Sequence, residues 1–117
     1  MAEKPVVSEK PVTHTVMVKV EGKKVTCDKP YVIAHREEMI EWRIDKELPF
    51  AVVVKAHHSP LQWAAHAAPG GGKPLVVKVR KDAVPGLYPY ALCVCAGSTL
   101  VVVDPDIIVP VPKGGRG

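Results

Sequence analysis

Alternation of apolar and polar residues predicts β-strands along most of the chain. In THTVMVKVEG, Val16, Val18 and Val20 face one way and the residues between them face the other. EEMIEWRID alternates in the same manner, with Ile40 and Trp42 on one face. Because one face of such a strand packs on a core, we expect Trp42 to be a core residue.

Further segments extend the β prediction toward the C-terminus. KKVTCDKPYVIAH is either one strand or two short strands, broken near Asp28 and Pro30. FAVVVKA is a continuous apolar run suited to a buried strand, and PLVVKVRK, LYPYALCVC, STLVVVD and DIIVPV follow it. DAVPG is a turn with Pro85 and Gly86 at its corner. About eight short strands with closely spaced turn signals predict an all-β, antiparallel β-sandwich with Greek-key connections.

One segment, within residues 57–74, interrupts this pattern. HHSPLQWAAHAAPGGGKP contains three prolines and three consecutive glycines. Leu, Gln and Ala favour helix, so the sequence predicts a short helix in the loop 57–73, ended by the glycines. Trp63 lies in this loop and has two interpretations: it plugs the end of the sandwich, or it contacts a partner.

The length of 117 residues indicates a single domain. Residues 1–11, in which prolines bracket charged and small residues, are expected to form a flexible N-terminal arm. The tail 112–117, PKGGRG, is expected to be flexible as well. The sandwich domain is therefore predicted to span residues 12–111.

Composition and charge limit the function classes. The chain is 47% hydrophobic and 24% charged, which is typical of a globular protein, and its abundant valines favour sheet over helix. The net charge is +4, but the lysines are scattered and are not interleaved with exposed aromatic residues. We therefore expect a solvated basic surface and no nucleic-acid partner.

The sequence has no apolar run long enough to span a bilayer, so no transmembrane segment is expected. Met1 is followed by AEKPVVSEKP, which is polar and unlike a signal peptide. We expect a cytoplasmic protein if Met1 is the natural start, and a periplasmic or secreted one if Met1 replaces a removed signal.

The order of these segments resembles the cupredoxins, the plastocyanin- and azurin-like copper-binding β-sandwiches. The matching features are the Trp-bearing strand EEMIEWRI, the apolar strand FAVVV, a variable loop, LVVKV, the corner PGLYPY and the closing STLVVVDPDIIVPV. The resemblance covers roughly residues 12–111, and PGLYPY is its most specific part. It implies a cupredoxin-like sandwich.

The resemblance also locates the positions where such proteins bind type 1 copper. Phe50 stands where the first His ligand is expected, and Leu92 stands where the Cys ligand is expected, six residues after Gly86. No His or Met follows Cys93 in VCAGSTLVVVDP. Since type 1 copper needs two imidazoles and a thiolate, we expect this sandwich to lack that site.

The three cysteines are the first alternative metal ligands. Cys93 and Cys95 are two residues apart on one strand, so their side chains face the same way, about 7 Å apart. That spacing suits Cu(I) or Zn(II), with Cys27 as a third ligand. The cysteines are otherwise small buried apolar residues, or Cys27 forms a disulfide with one of the other two.

The loop histidines are the second alternative. His57, His58 and His66 lie within ten residues and are candidate ligands of Zn(II) or Cu(II), or they are incidental residues of a solvated loop. His14 and His35 stand alone and are expected to be structural.

Signals of catalysis are weak. The sequence has no Gly-rich phosphate loop after a strand and no G-x-S-x-G motif, and Asp104, Asp106 and Ser98 belong to predicted turns. We therefore expect a non-catalytic cupredoxin-like module without a cofactor that binds an unidentified protein partner through the loop 57–73. The alternatives are a copper- or zinc-handling protein, for trafficking or electron transfer, and an adhesive immunoglobulin-like sandwich.

Overall fold

A computed structural model describes residues 12–112, so the predicted arm 1–11 and residues 113–117 of the predicted tail lie outside the described range. Within that range the chain is all-β, with ten strands and no helix. The strands are Thr13–Glu21 (β1), Lys24–Cys27 (β2), Tyr31–Ile33 (β3), Met39–Ile44 (β4), Phe50–Val54 (β5), Ala65–Ala67 (β6), Leu75–Lys78 (β7), Gly86–Ala96 (β8), Thr99–Val103 (β9) and Asp106–Val109 (β10).

These strands form two sheets. The smaller sheet has the order β2-β1-β4-β7, and the larger has the order β3-β10-β8-β5-β6, with β9 also paired to β8. The all-β sandwich is confirmed, but both sheets are mixed and not antiparallel throughout: two pairs, β1 with β4 and β3 with β10, are parallel. The chain leaves the smaller sheet after β2, adds β3 to the larger sheet and returns as β4, which brings β4 beside β1 in the same direction.

Two tight hairpins depend on glycine. Gly22 begins the two-residue connection between β1 and β2, and Gly97 begins the connection between β8 and β9. Their φ angles are 64° and 67°, which glycine adopts without the strain of a Cβ atom. These two positions set the registers of both hairpins.

The strands β9 and β10 are successive parts of one hairpin arm. Val103 pairs with Leu92 and Asp106 with Pro89, so the register against β8 continues across the break. Pro105 lies at the break, and its carbonyl still accepts the Tyr90 N–H at 3.0 Å. This interruption is one reason why the described residues form ten strands, whereas about eight were predicted.

The core lies between the two sheets, and the residues that the apolar–polar alternation predicted to face inward are buried in it. Val16, Ile40 and Trp42 of the smaller sheet are fully buried there, as are Val52 and Leu92 of the larger sheet. Trp42, expected in the core, is 0% exposed.

The predicted helix in the loop 57–73 is absent. The local preference of LQWAAHAA is overruled by β6, which pairs antiparallel with β5 through Val52 and His66. Among residues 12–112, no helix is long and apolar enough to cross a membrane.

Candidate functional site

The two positions at which the resemblance led us to expect type 1 copper ligands are part of the core. Phe50 is 5% exposed and Leu92 is 0% exposed, and neither side chain offers an atom that binds a metal. Tyr88 and Tyr90 are buried on the same side of β8 as Leu92. Cys93, one residue further along, therefore points to the opposite side.

The three cysteines do not converge. Cys93 and Cys95 lie on the outward side of β8, as their spacing predicted, whereas Cys27 packs against the core from β2 of the smaller sheet. The larger sheet stands between them. All three thiols are free, so the predicted disulfide alternative is wrong. Burial raises the pKa of Cys27, whose thiol donates to the Lys29 carbonyl at 3.4 Å.

The loop histidines are separated as well. The rings of His57 and His58 are 6.0 Å apart and exposed. His66 lies on β6, and its Nε2 accepts the Trp63 N–H at 3.1 Å. Burial lowers the pKa of His66. Across residues 12–112, no group of three or more His, Cys, Asp or Glu side chains is arranged to hold a metal ion.

His14 joins β1 to the turn before β4. Its Nε2 is 2.7 Å from Glu38 Oε1, which also accepts the His35 N–H at 2.9 Å. Burial alone would raise the pKa of Glu38, but the hydrogen bonds from His14 and His35 outweigh it and lower the pKa. This arrangement agrees with the expectation that His14 is structural.

Trp63 is 62% exposed, so it does not plug the end of the sandwich. Its backbone is nevertheless held on both sides. The Ser59 hydroxyl donates to the Trp63 carbonyl at 2.8 Å, and the Trp63 N–H donates to His66. A fixed backbone that presents an exposed indole is compatible with the other interpretation, a contact for a partner.

The outward side of the larger sheet is apolar over nearly its whole extent. Strand alternation and register determine which side chains point outward on each of its strands, and nearly all of these side chains are apolar. We call this surface the apolar face; it consists of Tyr31, Ile33, Ala51, Val53, Ala65, Ala67, Leu87, Pro89, Ala91, Cys93, Cys95, Leu100, Val102 and Ile108. Several are strongly exposed, including Leu100 at 61% and Leu87 at 59%.

The outward side of the smaller sheet is different. We call it the charged face, because it carries charged side chains on all four strands: Lys19, Glu21, Lys24, Glu41, Arg43 and Lys78. Met17 and Val76 are exposed among them, at 43% and 47%. A sheet with one solvated face usually carries polar residues on that face, as this smaller sheet does. The apolar face departs from that rule.

One ion pair crosses the apolar face. Lys55 Nζ lies 2.6 Å from Asp104 Oδ1, and the two side chains reach each other across β8. Asp106 is the remaining charged residue among the outward positions of these strands. The face therefore carries little net charge.

A shallow recess of about 230 Å³ lies at one end of the apolar face. It is lined almost entirely by apolar groups: Pro49, Phe50, Ala51, Ala67, Cys93, Cys95 and Leu100. Its apolar lining suits an inserted apolar side chain better than a polar ligand.

Sequence reasoning missed the apolar face, although its signal was present. FAVVV, ALCVC and TLVVV are apolar at both odd and even positions. Such a run predicts a strand covered on both sides. In the folded chain only one side of these strands meets the other sheet, and the second side is left uncovered.

Comparison with solved structures identifies the fold. The chain is similar to a reduced Cu(I) form of an amicyanin mutant, with a TM-score of 0.50 and 15% identity over 88% of this chain and 85% of that one. It is also similar to auracyanin B, with a TM-score of 0.47 and 14% identity over 92% and 94% of the two chains. No protein-family model and no curated protein matches it. The β-sandwich is cupredoxin-like, as the resemblance implied, and at this identity the similarity concerns the fold alone.

Proposed function

We propose that this cupredoxin-like domain is a non-catalytic binding module, and that it docks a protein partner on the apolar face. The observation that carries the proposal is the contrast between the two outward faces, one charged and one apolar. Monomeric proteins rarely expose a contiguous apolar patch larger than a few hundred Å². A protein partner would remove this surface from water.

Trp63 extends the proposed surface. It lies two residues before β6, at the edge of the apolar face, and combines a held backbone with an exposed indole. Trp is enriched among the residues that dominate binding energies, because it buries a large area with few rotatable bonds. The loop 57–73, which the sequence led us to expect as the contact surface, adjoins the apolar face and supports the proposal.

The proposal is tested by photo-crosslinking in the cells that naturally produce the protein. Val102 on the apolar face and Val76 on the charged face are the same residue type, 48% and 47% exposed. We expect Val102→p-benzoylphenylalanine to give an adduct of defined mass and Val76→p-benzoylphenylalanine to give none. Equal adducts from both positions, or none from either, would contradict docking on the apolar face.

Metal handling is retained as a second candidate because Cys93 and Cys95 are free and lie on the same outward side. We expect any tight Cu(I) or Zn(II) binding by the reduced protein, measured by native mass spectrometry, to disappear in the Cys93→Ser/Cys95→Ser variant. A metal retained by that variant would exclude the thiolates as ligands. His57→Gln/His58→Gln is the control that tests the loop imidazoles.

A further inference from the structure

We infer that the partner on the apolar face is a second copy of this chain, bound face to face across a two-fold axis. The inference rests on the proposed docking function and specifies its occupant. Three properties of the face carry it: its shape, its extent and its charge.

The shape favours another sheet. The apolar face is built from hydrogen-bonded strands in the order β3-β10-β8-β5-β6, with β9 beside β8, so it presents rows of side chains instead of a deep groove. Two such faces pack about 10 Å apart, as the inner faces of a sandwich do. The outward valines, leucines and isoleucines are the residue types that fill such a layer.

The extent approaches that of a standard interface. With strands about 4.8 Å apart and outward residues about 6.7 Å apart along each strand, the roughly 16 outward positions cover about 500 Å² in projection. Side chains that stand above the sheet increase the accessible area, toward the roughly 800 Å² per partner of a stable interface. A second copy contributes an equal area of the same kind.

The charge favours a copy over a strongly charged partner. A partner with a strongly charged surface would have few charges to pair with here, because the outward strand positions offer Asp106 besides the ion pair of Lys55 with Asp104. A two-fold axis that lies in the interface close to that ion pair, and perpendicular to the line from Lys55 to Asp104, reverses the direction of the pair in the second copy. Each ammonium group then faces a carboxylate of the partner as well as its own, so the pair is complementary to itself.

The recess at the end of the apolar face could receive a side chain of the second copy. Leu100, which is 61% exposed, lines the recess together with Ala51 and Ala67. An apolar side chain from the second copy that enters this space would be buried on insertion, which is typical of the central contacts of tight interfaces.

The test is sedimentation velocity of the full-length chain under reducing conditions, over a concentration series. Reduction excludes a disulfide through Cys95 as the cause of association. We expect a species of twice 12.6 kDa to form reversibly as concentration rises. Val102→Lys should weaken association about a hundredfold, because a two-fold dimer buries the new charge twice.

Val76→Lys is the matched control and should leave the dimer unchanged, since Val76 has the same exposure on the charged face. Ile33→Lys, at the far side of the apolar face and 46% exposed, is a second probe if Val102→Lys does not fold by circular dichroism. A wild-type protein that stays monomeric at all concentrations overturns the inference. A dimer disrupted by Val76→Lys and not by the apolar-face variants also overturns it.

The crosslinking experiment separates this inference from the proposed function. An adduct from position 102 with twice the mass of the chain supports both. An adduct of another mass, together with a monomer in sedimentation, supports docking and overturns the second copy. No adduct and no dimer overturn both.

Discussion

At the scale of single residues, the hydrogen bond between Trp42 and Tyr90 links the two sheets inside the core. Trp42 Nε1 donates to the Tyr90 hydroxyl at 3.0 Å, and the rings meet edge to face at 5.7 Å. Burial raises the pKa of Tyr90 far above its usual range, because a phenolate in the core would lose its hydration. The pair joins the Trp-bearing strand to the PGLYPY corner.

Removal of that hydroxyl should be costly. We expect Tyr90→Phe to lower the free energy of unfolding by about 1 to 3 kcal/mol, because the buried Trp42 N–H loses its acceptor. Tyr31→Phe, at a site that is 52% exposed, is the control and should change it by less than about 0.5 kcal/mol. Denaturant titrations measure both, and equal midpoints for the two variants would show that the bond contributes nothing.

We expect His66 to make the stability of the folded protein depend on pH. Burial lowers its pKa below the ordinary 6.5, and protonation of Nε2 would also remove the acceptor for Trp63 N–H. As pH falls below 6.5, the unfolded chain binds the proton first, so the free energy of unfolding falls until the pH passes the folded pKa. His66→Gln should remove this decline. The exposed His57→Gln should keep it, and identical pH profiles for the wild type and His66→Gln would refute this origin.

At the scale of strands and turns, the hairpin between β8 and β9 depends on one backbone conformation. Gly97 has a φ of 67°, and a Cβ built on it would meet nothing within 4 Å. We therefore expect Gly97→Ala to lower the free energy of unfolding by about 1 to 2 kcal/mol through backbone strain alone. Ser98→Ala, the next position of the same turn, is the control, and thermal or chemical unfolding of both measures the difference. A cost no larger than that of the control would argue against strain.

Strand alternation predicted which way side chains point, but not which strands are neighbours. Val16, Val18 and Val20 are buried as expected, because a period of two fixes the face from local sequence. The parallel pairing of β1 with β4 depends on a chain path through the other sheet, which leaves no local signal. The helix predicted around His66 failed because a three-residue edge strand needs only a partner with free hydrogen-bonding groups, which β5 supplies.

At the scale of the whole molecule, the sequence indicated the fold and the burial of Phe50 and Leu92, but not the surface where function is proposed. Phe50 and Leu92 could be singled out from the sequence because the resemblance to cupredoxins specifies where along the chain the copper ligands are expected. The apolar face depends on which strands meet in the larger sheet, and a run such as FAVVV does not say which of its two sides will be covered. Val52 is buried and Val53 is half-buried, and this difference arises only when the two sheets pack together.

The position of the histidines explains why a His at position 50 and a Cys at position 92 should not create a copper site. Phe50 lies opposite Val94, near the β8–β9 turn, whereas His57 and His58 follow the other end of β5. The chain turns back two residues after β8 ends, and that turn carries no imidazole or thioether. A Cys and a His placed in the core would therefore lack the second imidazole that type 1 copper needs.

We accordingly expect Phe50→His/Leu92→Cys to lower the free energy of unfolding by about 3 to 6 kcal/mol, because it loses apolar contacts and buries a polar ring. With Cu(II), it should show no intense thiolate-to-copper absorption. Optical titration of the folded variant, with the wild type as reference, measures this. One tightly bound copper per chain with that absorption would contradict this expectation. It would mean that a residue outside the β8–β9 turn supplies the missing ligand.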